Sequence, residues 1–211
     1  MAETFNHPCC RASNRPVIGI DEVGRGSLIG DVVTAAVHFH AGMPQGLRDS
    51  KAISAKKRVI LDTEIRATAT WAIGRASIEE IDKIGILEAT LLAMQRAWLG
   101  IPSDIRAQAL VIVDGDKPPK IDGDMELLNK GDQLCPTVSA ASIIAKVHRD
   151  NAVQGLHLAD QRFGWDRNKG YGTKEHFMAI EEYGPSPYHR RSFNPVRAML
   201  KRSRGENDRS S

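Results

Sequence analysis

The run VIGIDEVGRGSLIG, residues 17–30, constrains this chain more than any other stretch, because a short apolar segment delivers two adjacent carboxylates, Asp21 and Glu22, into a glycine-flanked arginine. Val17 to Ile20 has the β-branched make-up of a strand. A strand that ends in paired acids is costly unless something cationic compensates it. Neighbours in an extended strand point to opposite faces, so both acids reach one site only if the strand bends or ends at Glu22. Gly24 and Gly26 make such a departure easy.

Two later segments put further acids in similar settings. LVIVDGD places Asp114 at the end of a second apolar run, and NKGDQLCP places Asp132 just ahead of a helix. Carboxylates converging from distant parts of a chain are the oxygen-donor set that hard divalent ions such as magnesium favour. Asp31, Asp49, Asp116, Asp122 and Asp124 read as surface or turn residues. Asp116, two positions from Asp114, is the easiest to mistake for a ligand.

Around these acids Val32 to Phe39 reads as a second strand and Thr68 to Ala76 as a third, with a helix from Ser54 to Arg66 between them that Ser54 caps. Ser77 and Glu80 form a capping box, beyond which Leu87, Leu91, Met94 and Trp98 recur on one helical face until Pro102. That stripe reads as core. Leu110 to Val113 is a compact buried strand. Ser139 to Arg162 reads as a long helix with Ile143, Ile144 and Val147 facing inward and Ala140, Ala141 and Ala145 permitting close packing. Thr173 caps a further helix carrying Phe177 and Ile180. Strands followed by alternating helix and strand predict an α/β fold with a mixed sheet.

A chain of 211 residues with 41% hydrophobic content can bury one substantial core, so a single domain over residues 16–199 is expected, with disordered ends at 1–15 and 200–211. The net charge of +3 permits nucleic-acid binding without demanding it. Cys9, Cys10 and Cys135 make neither a disulfide framework nor a zinc set, which fits a reducing cytoplasm. No run is apolar enough to span a bilayer, and the first residues lack the apolar centre of a signal peptide. A monomer with no membrane partner is expected, because no unaccounted apolar face is evident.

The segments IDEVGRG at Ile20 to Gly26, DSK at Asp49 to Lys51, VDG at Val113 to Gly115, KGD at Lys130 to Asp132, SAASIIAKVHRD at Ser139 to Asp150 and KGYGTKEH at Lys169 to His176 occur in one order that resembles ribonuclease HII, the type 2 ribonuclease H of bacteria. The resemblance covers about Val17 to Val196. It implies a ribonuclease H-like fold, with a mixed central sheet flanked by helices and a helical C-terminal part. It also implies an endonuclease, a hydrolase, that cuts the RNA strand of RNA/DNA hybrids and incises 5' of single ribonucleotides in duplex DNA, leaving 3'-hydroxyl and 5'-phosphate ends.

Phosphodiester hydrolysis needs an activated water and neutralised phosphoryl oxygens, which two divalent ions about 4 Å apart supply. By the resemblance Asp21, Glu22, Asp114 and Asp132 hold them, as Mg2+ or Mn2+. A sugar 2'-hydroxyl both donates and accepts hydrogen bonds, and glycines let backbone groups approach it closely. The resemblance accordingly gives Gly24, Arg25 and Gly26 the reading of that hydroxyl and Tyr171 the stacking against the sugar that follows. Ser50 and Lys51, with Lys146 and Arg149 as weaker candidates, resemble residues that meet backbone phosphates. His176 and His189 read as structural or substrate-proximal groups, since metal-activated water needs no histidine base.

The chain departs from the family where prolines commonly follow GRG, carrying Ser27 and Asp31 instead, which puts kinetics in question more than activity. The rival readings are another metal-dependent nuclease of the same fold, such as a resolvase or integrase, and a non-catalytic hybrid-binding protein. Neither accounts for the acids together with GRG and GYGT. A dinucleotide-binding loop is disfavoured because Gly24, Gly26 and Gly30 miss the GxGxxG spacing.

Overall fold

The computed structural model describes residues 15–40, 42–47 and 50–203. They fall into two compact units. The first takes in the chain through Val23, Val33–Arg75 and Thr90–Arg149, and the second takes in Gly24–Val32, Ala76–Ala89 and the chain from Asp150 on. Cys9, Cys10, Asp49 and the predicted loose ends at residues 1–14 and 204–211 lie outside the described residues. Residues 200–203 form the last turn of a helix.

The first unit is built on a five-stranded sheet with strands β1 (Val17–Val23), β2 (Val32–Phe39), β3 (Ala69–Ala76), β4 (Leu110–Asp114) and β5 (Asp124–Leu128), in the order β3-β2-β1-β4-β5. β1 runs antiparallel to β2 and parallel to β4, and β4 runs parallel to β5, so the sheet is mixed as predicted. Strand alternation divides the core in two. Val33, Ala35 and Val37 meet helix α1 (Ala55–Thr68) through Leu61 and Ile65, and helix α6 (Pro136–Ala159) through Ala140, Ile143 and Ile144. Ile18, Ile20, Ala36, Val111 and Val113 pack with Met94 and Trp98 of helix α3 (Ile86–Leu99). Burial of Trp98 alone stabilises by roughly 3–5 kcal/mol relative to truncation at Cβ.

Local signals placed the helix starts well. Ser54 accepts from the Lys57 amide, Ser77 and Glu80 complete their capping box on helix α2 (Ile78–Ile84), and Thr173 accepts from the His176 amide to start helix α8 (Lys174–Tyr183). The predicted stripe from Leu87 to Trp98 is narrower in fact. Gly85 separates α2 from α3, and Leu87 is exposed while Met94 and Trp98 are buried. Helix α6 starts at Pro136, three residues ahead of the expected Ser139, because proline suits a first helical position.

In the second unit, Phe163 stacks on Trp165 of the short helix α7 (Trp165–Asn168), with ring centroids 5.0 Å apart. Leu28, Ile29, Val153, Ile180 and Val196 complete that core, the last from helix α9 (Asn194–Ser203).

Candidate active site

The four predicted acids gather at one end of the first unit's sheet, and strand register explains how. β1 stays paired with β2 as far as Val23↔Val33, but its pairing with β4 stops at Ile20↔Val113. β4 meanwhile stays with β5 through Asp114↔Leu128. The ladder between the two parallel strands therefore ends just where Asp21 and Asp114 begin, at the strand carboxyl ends where α/β sheets bind ligands. The expectation that β1 bends or ends at Glu22 is not met, since the strand runs on in register to Val23. What changes at Asp21 is that β1 no longer pairs with β4. By alternation Asp21, opposite Ala35, lies on the α6 face, and half-buried Glu22 starts from the opposite one.

Asp21 is 5% exposed, and its carboxyl is pushed well above the usual range by burial first, then by the charges of Glu22 and Asp114, while a hydrogen bond from Ser142 opposes the shift. The Glu22 amide also donates to Asp21 Oδ1 at 2.7 Å. Asp114 Oδ1 accepts the Gly131 amide at 2.8 Å, which brings the start of helix α5 (Gly131–Leu134) to it and with it the buried Asp132. Among the described residues no three acidic, histidine or cysteine side chains stand grouped closely enough to enclose an ion. The chemistry of the donors still fits a divalent cation: every group is a carboxylate, and the most buried one is destabilised by its acidic neighbours in a way that a cation relieves.

Sequence reasoning missed Ser142. Its hydroxyl donates to Asp21 and lies 2.9 Å from that of Ser50, so the chain Ser50, Ser142, Asp21 runs from the residue after Asp49 to the acid cluster. The available signal was the polar position three residues after Ser139 on an otherwise alanine and isoleucine face of α6. Ser50 is buried, its carbonyl accepting from Arg58 Nε at 2.9 Å; the side chain of Lys51 lies outside the described residues. Lys146 is half-buried and Arg149 buried. Asp116 is exposed, Asp122 accepts from Trp98 Nε1 at 3.1 Å, Asp124 pairs with Arg15 at 2.6 Å, and Asp31 is half-buried.

The second unit brings the remaining candidates together. The turn at Gly24, Arg25 and Gly26 is closed by the Ser27 amide donating to the Gly24 carbonyl at 3.2 Å, and it leaves Arg25 and Gly26 exposed. Ser27 bridges to Tyr171, and the Leu28 amide donates to the Gly170 carbonyl at 2.8 Å. A Cβ on Gly26 would sit 3.8 Å from Tyr171 Cε1, so the 38% exposed ring stands beside the GRG turn. The approach depends on Gly170, at φ +80, where a Cβ would lie 2.3 Å from Ile29 Cγ1. Ser27, one of the departures from the family pattern, is fully buried, with its hydroxyl 3.1 Å from the carbonyls of Ile29 and Gly170.

Beneath this pair lie His176 and His189, both fully buried and 3.1 Å apart at their Nε2 atoms, which favours the structural of the two roles read for them, structural or substrate-proximal. Burial lowers the affinity of both for protons, and the neighbouring His176 adds to the effect on His189, whose pKa falls to about 4. The unfolded chain then binds more protons than the native one between about pH 6.5 and 4, so stability is present at neutral pH and lost as pH falls through that window. The loss approaches about 3 kcal/mol near pH 4 for His189 alone. Thermal melts from pH 7 to 4 should therefore fall more steeply in the wild type than in His189→Gln, which cannot take up that proton. Parallel slopes would remove the histidine from the acid sensitivity.

A mixed sheet of this order, with helices on both faces and acids where the β1–β4 ladder ends, defines the ribonuclease H-like class. The ribonuclease H2 of Pyrococcus horikoshii OT3 superposes with a TM-score of 0.72 at 25% identity, over 90% of this chain and 99% of that one. Bst-RNase HIII, solved in complex with Mn2+, gives a TM-score of 0.71 at 17% identity over 92% and 72% of the two chains, a likeness of fold. The chain itself belongs to the ribonuclease HII family, whose model, described as Ribonuclease HII, matches residues 18–196. The Ribonuclease HII of Alteromonas mediterranea is 53% identical over 186 residues, which are 87% of this chain and 96% of the relative. The protein is thus an endoribonuclease, a hydrolase acting on RNA/DNA hybrids.

Proposed function

We propose that this ribonuclease also incises duplex DNA on the 5' side of a single embedded ribonucleotide, leaving 3'-hydroxyl and 5'-phosphate ends, with two divalent ions, Mg2+ or Mn2+, held by Asp21, Glu22, Asp114 and Asp132. The observation that carries the reading is the end of the β1–β4 ladder beside a buried Asp21 that is destabilised by Glu22 and Asp114. When bound, such ions make a water nucleophilic and neutralise the phosphoryl oxygens. Ser142 holds Asp21 toward the cluster, and the Gly131 amide fixes Asp114. The backbone of Gly24, Arg25 and Gly26 reads the 2'-hydroxyl, which separates ribose from deoxyribose. Tyr171, beside that turn, stacks on the following sugar and excludes water from it.

The test is incubation with a duplex carrying one ribonucleotide, beside an all-DNA duplex and a uniform RNA/DNA hybrid, with magnesium, with manganese and with chelator. Cutting 5' of the lone ribonucleotide that chelator stops is the expected result. Cutting of the hybrid alone would overturn the single-ribonucleotide reading, and cutting in chelator would overturn the metal mechanism.

A further inference from the structure

Two buried polar residues adjacent in the chain, His189 and Arg190, take no part in the chemistry described above, yet the bonds of Arg190 end on one candidate sugar-reading element and those of His189 lead through His176 to the other. Arg190 is fully buried. Its Nε donates to the Gly30 carbonyl at 2.8 Å, and its Nη1 to the carbonyls of Ser27 at 2.7 Å and Arg25 at 3.0 Å. Its backbone amide donates to the Leu28 carbonyl at 2.8 Å. One residue thus fixes four carbonyls within residues 25–30. A guanidinium suits this task because its donors form a rigid planar fork, which a lysine ammonium does not supply.

His189 works in the other direction. A carbonyl only accepts, so the contact of His176 Nδ1 with the Tyr171 carbonyl at 3.0 Å places a proton on that nitrogen and leaves His176 Nε2 as an acceptor. Trp165 Nε1 donates to this Nε2 at 3.0 Å, in agreement. The Ser186 amide donates to His189 Nδ1 at 3.0 Å, so His189 carries its proton on Nε2 and donates it to His176 across 3.1 Å. This set of tautomers gives each contact a donor and an acceptor, the one lone pair of His176 Nε2 being shared between Trp165 and His189, and the relay runs from Ser186 through His189 and His176 to the backbone of Tyr171.

We propose that His189 and Arg190 are the positioning residues of the ribose reader, Arg190 setting the Gly24-Arg25-Gly26 turn and His189, through His176, setting Tyr171. This rests on the reading of those elements as the ones that recognise a ribonucleotide. Neither residue touches substrate. Their effect is to hold the reader to the tolerance at which a displacement of about 1 Å costs on the order of 100-fold in rate. A uniform hybrid offers a 2'-hydroxyl in every register, whereas a lone ribonucleotide offers one, so a loosened reader is penalised most on the lone site.

The test measures kcat and KM of the full chain on the single-ribonucleotide duplex and on the uniform hybrid, for the wild type, Arg190→Lys, His189→Leu and His189→Gln, with a thermal melt for each. For Arg190→Lys and His189→Leu the expected result is a fall in kcat of about 10–100-fold on the lone ribonucleotide. KM should stay within about threefold, and the loss on the hybrid should be several-fold smaller. His189→Gln, which keeps a donor for His176, should recover most of the rate. Equal losses on both substrates that follow the folded fraction would overturn the positioning role and leave the reading of the turn intact. A wild type that cuts the hybrid and ignores the lone ribonucleotide would overturn that reading and this proposal with it. If Arg190→Lys does not fold, the two His189 variants decide: a loss in leucine that glutamine restores supports the relay, and identical rates in both overturn it.

Discussion

Replacing Asp21 by Asn is expected to abolish cleavage while making the metal-free protein more resistant to heat. Asp21 carries the strongest conflict in the first unit, being 5% exposed and pushed toward its neutral form by burial and by the charges of Glu22 and Asp114. Asparagine has nearly the same shape and keeps an oxygen to accept from the Glu22 amide and from Ser142, but it carries no charge to desolvate or to repel. Relief of that conflict is worth about 1–3 kcal/mol, which in a chain of this size raises the melting temperature by roughly 2–10 °C. The same change removes an anionic ligand, and cleavage should fall on the order of 10³-fold, the scale of losing a group that fixes charge in the transition state. The measurement is a melt of both proteins in chelator and then in increasing magnesium, beside hybrid cleavage. The wild type should gain stability with magnesium and overtake the variant. A variant that melts below the wild type in chelator, or still cuts at a comparable rate, would take Asp21 out of a charge-strained metal site.

Site and fold were legible where the signal is local or where chemistry makes a residue conspicuous. Ser54, Ser77 with Glu80, and Thr173 announce helix starts because a cap needs only the next three residues. The acids stand out because carboxylates at the ends of apolar runs have no cheap bland explanation. The reading failed where the cause is a distant partner. β5 carries no such signal because DMELL is a short run broken by two acids and largely exposed at the sheet edge, and its pairing with β4 is what makes it a strand. The bend expected at Glu22 would let two neighbours reach one site, but β1 keeps its register with β2 through Val23, and what the pairings bring together is Asp21 with Asp114 at the ends of two parallel strands. Nothing local marks Ser142 in an alanine-rich helix or Arg190 in an arginine pair. Each is defined by what it meets across 121 and up to 165 positions of chain respectively.

The approach of α6 to the sheet underlies the first of these contacts, and Gly19 is the position where it is most exposed to test. A Cβ at Gly19 would lie 2.2 Å from the Thr137 carbonyl carbon and 2.3 Å from the Val138 amide nitrogen, both helix backbone that no rotamer change can move. Gly19 shares the α6 face with Asp21 two positions on, so one added methyl group must push the helix start away from the strand that carries the acid. Gly19→Ala should cost at least about 3 kcal/mol, more than ordinary overpacking, because backbone and not a side chain must yield. Gly155, in the same helix, is the internal control: nothing lies within 4 Å of a Cβ there, so Gly155→Ala should stabilise by about 0.5–1 kcal/mol through helix propensity. Urea unfolding of the two variants beside the wild type separates the effects. If folded Gly19→Ala is recovered, its cleavage should fall further than its stability explains, since Ser142 rides on the displaced helix. A Gly19→Ala protein with wild-type stability and rate would mean that α6 does not sit against β1 as closely as these distances require.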